Sequence, residues 1–193
     1  KRRLLEARGL VLYQGGRPLC RPLDLTLEQG ERLAILGRNG AGKSTLLRLC
    51  AGEDVAYTGS FYRAPGLEQN IVPQQTHHLR GGLRDLARQQ QVEESLLLAL
   101  LRQMGLERRH LERPVEQMSE GQRKKVLLAL AFCRPYMLYL WDEPMNYIDV
   151  ITRMQLEEAV QDSRATMVFV EHDSAFVRHT ATKTVELAPF SQG

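Results

Sequence analysis

Gly37-Arg38-Asn39-Gly40-Ala41-Gly42-Lys43-Ser44 follows the pattern G-x-x-x-x-G-K-S, the pattern of a loop that wraps phosphate. The preceding Arg32-Leu33-Ala34-Ile35-Leu36 is a short apolar run of the kind that forms a buried strand. The following Thr45-Leu46-Leu47-Arg48-Leu49-Cys50 contains neither Gly nor Pro, and Gly52 supplies a C-terminal stop, so a helix is predicted. Strand, glycine turn and helix are the context that the pattern requires. Glycines let backbone N–H groups close around phosphate oxygens. The helix N-terminus adds unpaired donors and the positive end of its dipole. In that geometry Lys43 reaches the terminal phosphates and Ser44 is placed to ligate Mg²⁺.

Outward from this stretch, composition sets the bounds. The 193 residues suit one domain with a sizeable core, and 43% hydrophobic with 25% charged residues is ordinary for a globular chain. No apolar run approaches a membrane span and no signal peptide is visible. The chain starts at Lys1 without a Met and ends at Ser191-Gln192-Gly193, as expected of a domain excised from a longer protein, though processing would look the same. Cys20, Cys50 and Cys133 have no metal-like spacing and are odd in number, as expected of reduced thiols in a cytoplasmic protein. The net charge is +3. Between Arg80 and Lys125 ten basic residues (Arg80, Arg84, Arg88, Arg102, Arg108, Arg109, Arg113, Arg123, Lys124, Lys125) accompany seven acidic ones. A positive surface there would favour RNA or anionic lipid; helix faces of mixed charge are the plainer reading.

Before the loop, Leu4 to Tyr13 and Leu23 to Leu27 read as strands, with Gly15-Gly16 and Glu28 to Glu31 as turns. Tyr13 is an aromatic able to stack on a purine, or else a partly buried structural tyrosine. After it, Thr58–Tyr62 and Glu68–Val72 read as two short strands joined by Pro65-Gly66, and Gln74 follows the second. From Leu83 the period becomes helical, with Val92, Leu96, Leu97, Leu100, Leu101 and Met104 on one face and Gly105 as the stop. A helical subdomain over about 76–133 is expected, inserted into a core that spans 1–193. Ser119-Glu120-Gly121-Gln122 opens a helix with a capping box, and Val126, Leu127, Leu130 and Ala131 form its apolar face. That helix start is either an ordinary cap or a second anion site.

Met137 to Trp141 is an apolar run ending in Asp142-Glu143. A buried parallel strand delivering two acids at its C-terminal end fits the ligand edge of an open α/β sheet. Two acids there are costly without a cation, and Mg²⁺ is the economical one beside a phosphate loop. Met167 to Val170 is another buried strand, and it leads to Glu171-His172-Asp173 at the same edge. Asp173 caps a helix over Ser174–Thr180, and Thr184 to Leu187 reads as a last strand.

Taken in order, these pieces resemble the nucleotide-binding domain of ATP-binding-cassette (ABC) proteins over nearly the whole chain. The resemblance implies an α/β P-loop NTPase fold with a mixed or parallel core sheet, an N-terminal antiparallel part and an inserted helical subdomain. It maps Tyr13 to the adenine-stacking loop and Gly37–Ser44 to Walker A, with Gly37, Asn39, Gly40, Ala41, Gly42, Lys43, Ser44 and Thr45 as nucleotide contacts. Gln74 falls on the Q-loop, Ser119, Gly121 and Gln122 on the signature, Leu138–Glu143 on Walker B, Asp149 on the D-loop and His172 on the switch histidine. The implied reaction is hydrolysis of ATP with Mg²⁺. Glu143 would polarise water, His172 would contact the γ-phosphate, and Ser44, Gln74 and Asp142 would serve the metal. ATP would lie between the Walker A of one domain and the signature of a second, in tandem or in a homodimer.

Three departures from a transporter ATPase bear on the branch: Glu120 where transporters often carry Gly, a short helical segment, and the exit loop Met145-Asn146-Tyr147-Ile148-Asp149. With Val170-Glu171-His172-Asp173 these look like the second cassette of the ABC-F group, soluble ATPases that act on the ribosome, and the N-Y-I-D form is similar to antibiotic-resistance members. The implied partners are then the ribosome and its rRNA, and DNA is not implied. The rival is the ATP-hydrolysing subunit of a membrane transporter, partnered by a membrane subunit.

Overall fold

A computed structural model describes residues 1–190. β1 (Arg3–Gln14) pairs antiparallel with β2 (Arg17–Pro18) and β3 (Leu23–Glu28). A hydrogen-bonded turn, Glu31 N–H to the Glu28 carbonyl at 3.0 Å, redirects the chain into β4 (Arg32–Gly37). The glycine loop and α1 (Lys43–Cys50) follow. β5 (Tyr57–Arg63) returns to pair antiparallel with β1, and β6 (Gln69–Val72) then enters a second sheet. The two strands around Pro65-Gly66 are therefore neighbours in sequence that belong to different sheets.

Between β6 and β7 lie four helices: α2 (Leu83–Gln89), α3 (Glu94–Gln103), α4 (Arg108–Leu111) and α5 (Glu120–Ala131). A 3-10 turn at Val115–Gln117 precedes α5. The long helix expected up to Met104 is two helices, because Gln91 adopts a left-handed φ of 56° between them. β7 (Leu138–Asp142), α6 (Val150–Ser163), β8 (Met167–Val170), α7 (Ser174–Thr180) and β9 (Lys183–Leu187) complete the chain.

The second sheet is parallel throughout, in the order β6-β7-β8-β4-β9. Its central strands β7, β8 and β4 are buried on both faces, so their side chains alternate between two cores. Leu33, Ile35, Leu138, Leu140, Val168 and Val170 join the core shared with α1 and the antiparallel sheet. Ala34, Tyr139, Trp141, Met167 and Phe169 join the core shared with the helices. α5 is buried on all sides rather than along one apolar face: Lys124 and Val126 through Ala131 are all buried. A helix wedged between a sheet and other helices has no free face to give to solvent.

Candidate active site

The C-terminal ends of β4, β6, β7 and β8 converge on one edge, where open parallel sheets carry their ligands. β4 delivers the glycine loop. Gly42 is the N-cap of α1 with φ 97°, a conformation that favours glycine, and a Cβ there would meet the Leu19 side chain at 3.1 Å. The same Cβ would lie 3.8 Å from Leu12, the residue before Tyr13 on β1. No side chain caps α1 and its first turn holds no acid, so its leading N–H groups are available to an anion. Asn39 and Gly40 form the exposed tip, Ala41 is buried and Thr45 is half-buried. Lys43 is buried, its Nζ donating to the Gly37 carbonyl at 2.7 Å.

β7 brings Asp142 opposite this loop: the Ser44 hydroxyl donates to Asp142 Oδ2 at 2.9 Å. Burial, reinforced by the Glu143 charge and opposed by that hydrogen bond, pushes the Asp142 carboxyl above the usual carboxylate range. A hydroxyl and a desolvated carboxylate at this distance are an oxygen donor pair suited to Mg²⁺, which takes one or two protein oxygens and fills its shell with water and phosphate. Among the described residues no group of three or more His, Cys, Asp or Glu side chains is placed to hold a metal.

Glu143, with φ 49°, directs its carboxylate into a cluster from three other places in the chain. Gln74 Nε2 and Asn146 Nδ2 each donate to Glu143 Oε2 at 2.9 Å. His172 Nε2 lies 3.0 Å from Glu143 Oε1. Sequence reading found Gln74 and His172 and passed over Asn146, whose only signal was its place in the exit loop.

The start of α5 stands apart from this edge. Ser119 Oγ accepts from the Gln122 N–H at 3.2 Å, and Gln122 Oε1 accepts from the Ser119 N–H at 3.1 Å. A Cβ on Gly121 would sit 3.0 Å from the Tyr147 carbonyl, so glycine is needed where α5 passes the exit loop. Among the described residues no hydrogen bond links Ser119, Gly121 or Gln122 to the glycine loop. Asp149 caps α6 through the Thr152 N–H at 3.0 Å and pairs with Lys125 at 2.9 Å. Burial works to raise its carboxyl, but Lys125 and the two Thr152 hydrogen bonds outweigh it and lower it to about 2.

Over Arg80–Lys125 several of the ten basic side chains are engaged by neighbours, in line with helix faces of mixed charge. Lys124 is buried, and Arg123 is held by Thr76 and the Met118 carbonyl. Arg84, Arg108, Arg109 and Lys125 are each paired with a carboxylate. Arg84, Arg108 and Arg109 nonetheless keep their side chains 76%, 86% and 70% exposed.

A glycine loop between a parallel strand and a helix, facing an acidic strand end, defines a P-loop nucleotide-binding protein. The ABC transporter family profile matches residues 20–146. ABC transporter F family member 2 of Arabidopsis thaliana is 28% identical over 96% of this chain and 28% of its own length. Ribosome protection protein VmlR of Bacillus subtilis (strain 168) is 28% identical over 97% of this chain and 35% of its own length. Taurine import ATP-binding protein TauB of Escherichia coli O157:H7 is 30% identical over 96% of this chain and 80% of its own length. The chain thus spans about a third of the first two relatives. Among solved structures, the dimeric ATP-binding cassette MJ0796 bound to ADP and Pi superimposes with a TM-score of 0.78 at 20% identity, covering 96% of this chain and 94% of that one. The chain belongs to the ABC transporter family and is an ATP-binding cassette. No helix among the described residues is long and apolar enough to cross a membrane.

Proposed function

We propose that this cassette hydrolyses Mg-ATP in a composite site and that its cycle works on the ribosome, as in ABC-F proteins. The observation that carries the hydrolysis reading is the grip of Gln74, Asn146 and His172 on the one carboxylate of Glu143. In the proposed roles Tyr13 stacks on adenine, and the loop from Gly37 to Thr45 wraps the phosphates with Lys43 as their counter-charge. Ser44, Asp142 and Gln74 would hold Mg²⁺, which would supply charge neutralisation at the phosphates. Glu143 orients the attacking water, and His172 steadies the transferred phosphate.

Ser119, Gly121, Gln122 and Asp149 serve a second cassette rather than their own chain. Tyr147, Val150, Ile151 and Met154 favour that reading. They form an exposed apolar stretch around Asp149, with Tyr147 69% and Ile151 70% exposed, and such patches mark interfaces. The names of the F-family member and of the ribosome protection protein favour the ribosome. A second reading, the ATPase subunit of a membrane transporter, is favoured by the cover of TauB, a protein of nearly this chain's extent.

One experiment separates them. The Glu143→Gln chain is sedimented with 70S ribosomes and, separately, with membrane vesicles carrying ABC permease subunits, in ATP and in ADP. Ribosome pelleting that requires ATP and weakens with salt supports the ABC-F reading. Capture by the vesicles alone replaces it with the transporter.

A further inference from the structure

Lys124 is a buried charge that the roles above leave unused. It sits on α5 and is 1% exposed. Its Nζ donates to the Gln74 carbonyl at 3.3 Å and to the Glu143 carbonyl at 3.2 Å. One ammonium therefore ties the loop after β6 to the loop after β7.

Glu171, 5% exposed at the end of β8, does the converse with backbone donors. Its Oε2 accepts from the Met145 N–H at 2.9 Å, and its Oε1 accepts from the N–H groups of His172 at 2.9 Å and Asp173 at 3.1 Å. Burial lowers the Lys124 ammonium and raises the Glu171 carboxyl. Among the acids that sustain the Lys124 charge, Glu171 acts most strongly.

Burying either ion alone is costly, and apolar side chains of similar volume would fill the same space without that cost. What an apolar filling would not do is hold loop backbone. Lys124 grips carbonyls and Glu171 grips N–H groups, so between them they fix the main chain at Gln74, Glu143, Met145 and His172. Catalysis of this kind depends on placement, and small shifts of the reacting groups weigh heavily on the rate.

We propose that Lys124 and Glu171 are positioning residues for ATP hydrolysis. They are buried groups of opposite charge whose separate backbone hydrogen bonds set the three loops presenting Gln74, Glu143 and His172 to one another. The proposal rests on the reading of Glu143 as the residue that orients water. Lys124 acts through the Gln74–Glu143 hydrogen bond, because both partners of that bond belong to residues whose carbonyls it holds. Glu171 acts through the Glu143–His172 contact, since it anchors the His172 N–H and, two residues beyond Glu143, the Met145 N–H.

The test compares Lys124→Met, which keeps length and removes charge and donors, with Lys124→Gln, which keeps a donor, and Glu171→Gln, which keeps an acceptor. Each is measured in the 193-residue chain at high concentration for Mg-ATP affinity, kcat, KM and thermal unfolding. The Gln74 side-chain amide is followed by NMR, with Glu143→Gln as reference. Lys124→Met should lower kcat by about tenfold to hundredfold while the Kd for Mg-ATP stays within about twofold. Its Gln74 amide signal should shift, and Lys124→Gln should recover part of the rate. Should Lys124→Met not fold, Lys124→Gln and Glu171→Gln carry the same comparison. A folded Lys124→Met with wild-type kcat and an unmoved Gln74 signal overturns the proposal, as does a rate that falls only in step with the folded fraction. Hydrolysis that survives in Glu143→Gln overturns instead the reading on which the proposal rests.

Discussion

The starts of α1 and α5 are built in opposite ways. α1 begins on a glycine, has no capping side chain and carries no acid in its first turn. α5 begins on Ser119 with a closed capping box and carries Glu120 in its first turn. The first leaves its backbone donors for an anion; the second commits the Gln122 N–H to Ser119 and has a negative charge in front. The difference implies a division of labour in which α1 holds the nucleotide by itself. In the proposed composite site α5 would add its contact to phosphate presented by a neighbouring cassette.

Removing charge from the first start should have the largest effect. Lys43→Ala should weaken Mg-ATP affinity by about 2 kcal/mol, roughly thirtyfold in Kd, the loss expected for a charged hydrogen bond. The fold should persist, and calorimetry on a chain with native circular dichroism checks both. Equal affinity in Lys43→Ala would erase the contrast between the two helix starts.

A smaller effect is expected at the second start. Ser119→Ala removes the cap and should cost about 1 kcal/mol in stability, seen in thermal unfolding. The Kd of the dilute chain for Mg-ATP should not move, because α5 makes no contact with phosphate held on its own chain. A matched loss of ATP affinity in the dilute chain would place α5 in the same site as α1.

The smallest effect concerns Asp149, which ties α5 to the exit loop. Its folded carboxyl lies at about 2 against an ordinary 3.8. A carboxyl lowered by folding stabilises the native state above its unfolded value, and that contribution is lost as the pH falls through the folded one. Asp149→Asn should therefore flatten the decline of stability between pH 3.8 and 2. With the side chain 52% exposed, the change should stay below about 1 kcal/mol. Acid titrations followed by fluorescence of Trp141 would read it, and identical curves would mean that the Lys125 pair is immaterial to folding.

How much of this was legible in the sequence depends on how local the cause is. The glycine loop, the acids after β7 and the histidine after β8 were readable because strand, turn and site residues are contiguous. The capping box at Ser119 was readable for the same reason. The separation of β5 and β6 into different sheets was not, since strand pairing is decided by distant partners. Lys124 was counted with a basic surface, because a lysine in a helix is ordinarily solvated. Only the packing of α5 against loops from β6 and β7 puts its ammonium inside. Glu171 likewise read as part of a strand end, and its three N–H partners come from two loops that only the fold brings together.

The most direct measurement is the rate of ATP hydrolysis per molecule over a wide dilution series of the wild-type chain at saturating Mg-ATP. If α1 of one chain needs α5 of another, the rate per molecule falls toward zero as the chain is diluted. It should be restored by adding Lys43→Ala chain, which holds nucleotide of its own more weakly and still offers an intact Ser119 end. A rate per molecule that stays constant through the dilution would mean that one chain holds a complete site, and would contradict the division of labour between the two helix starts.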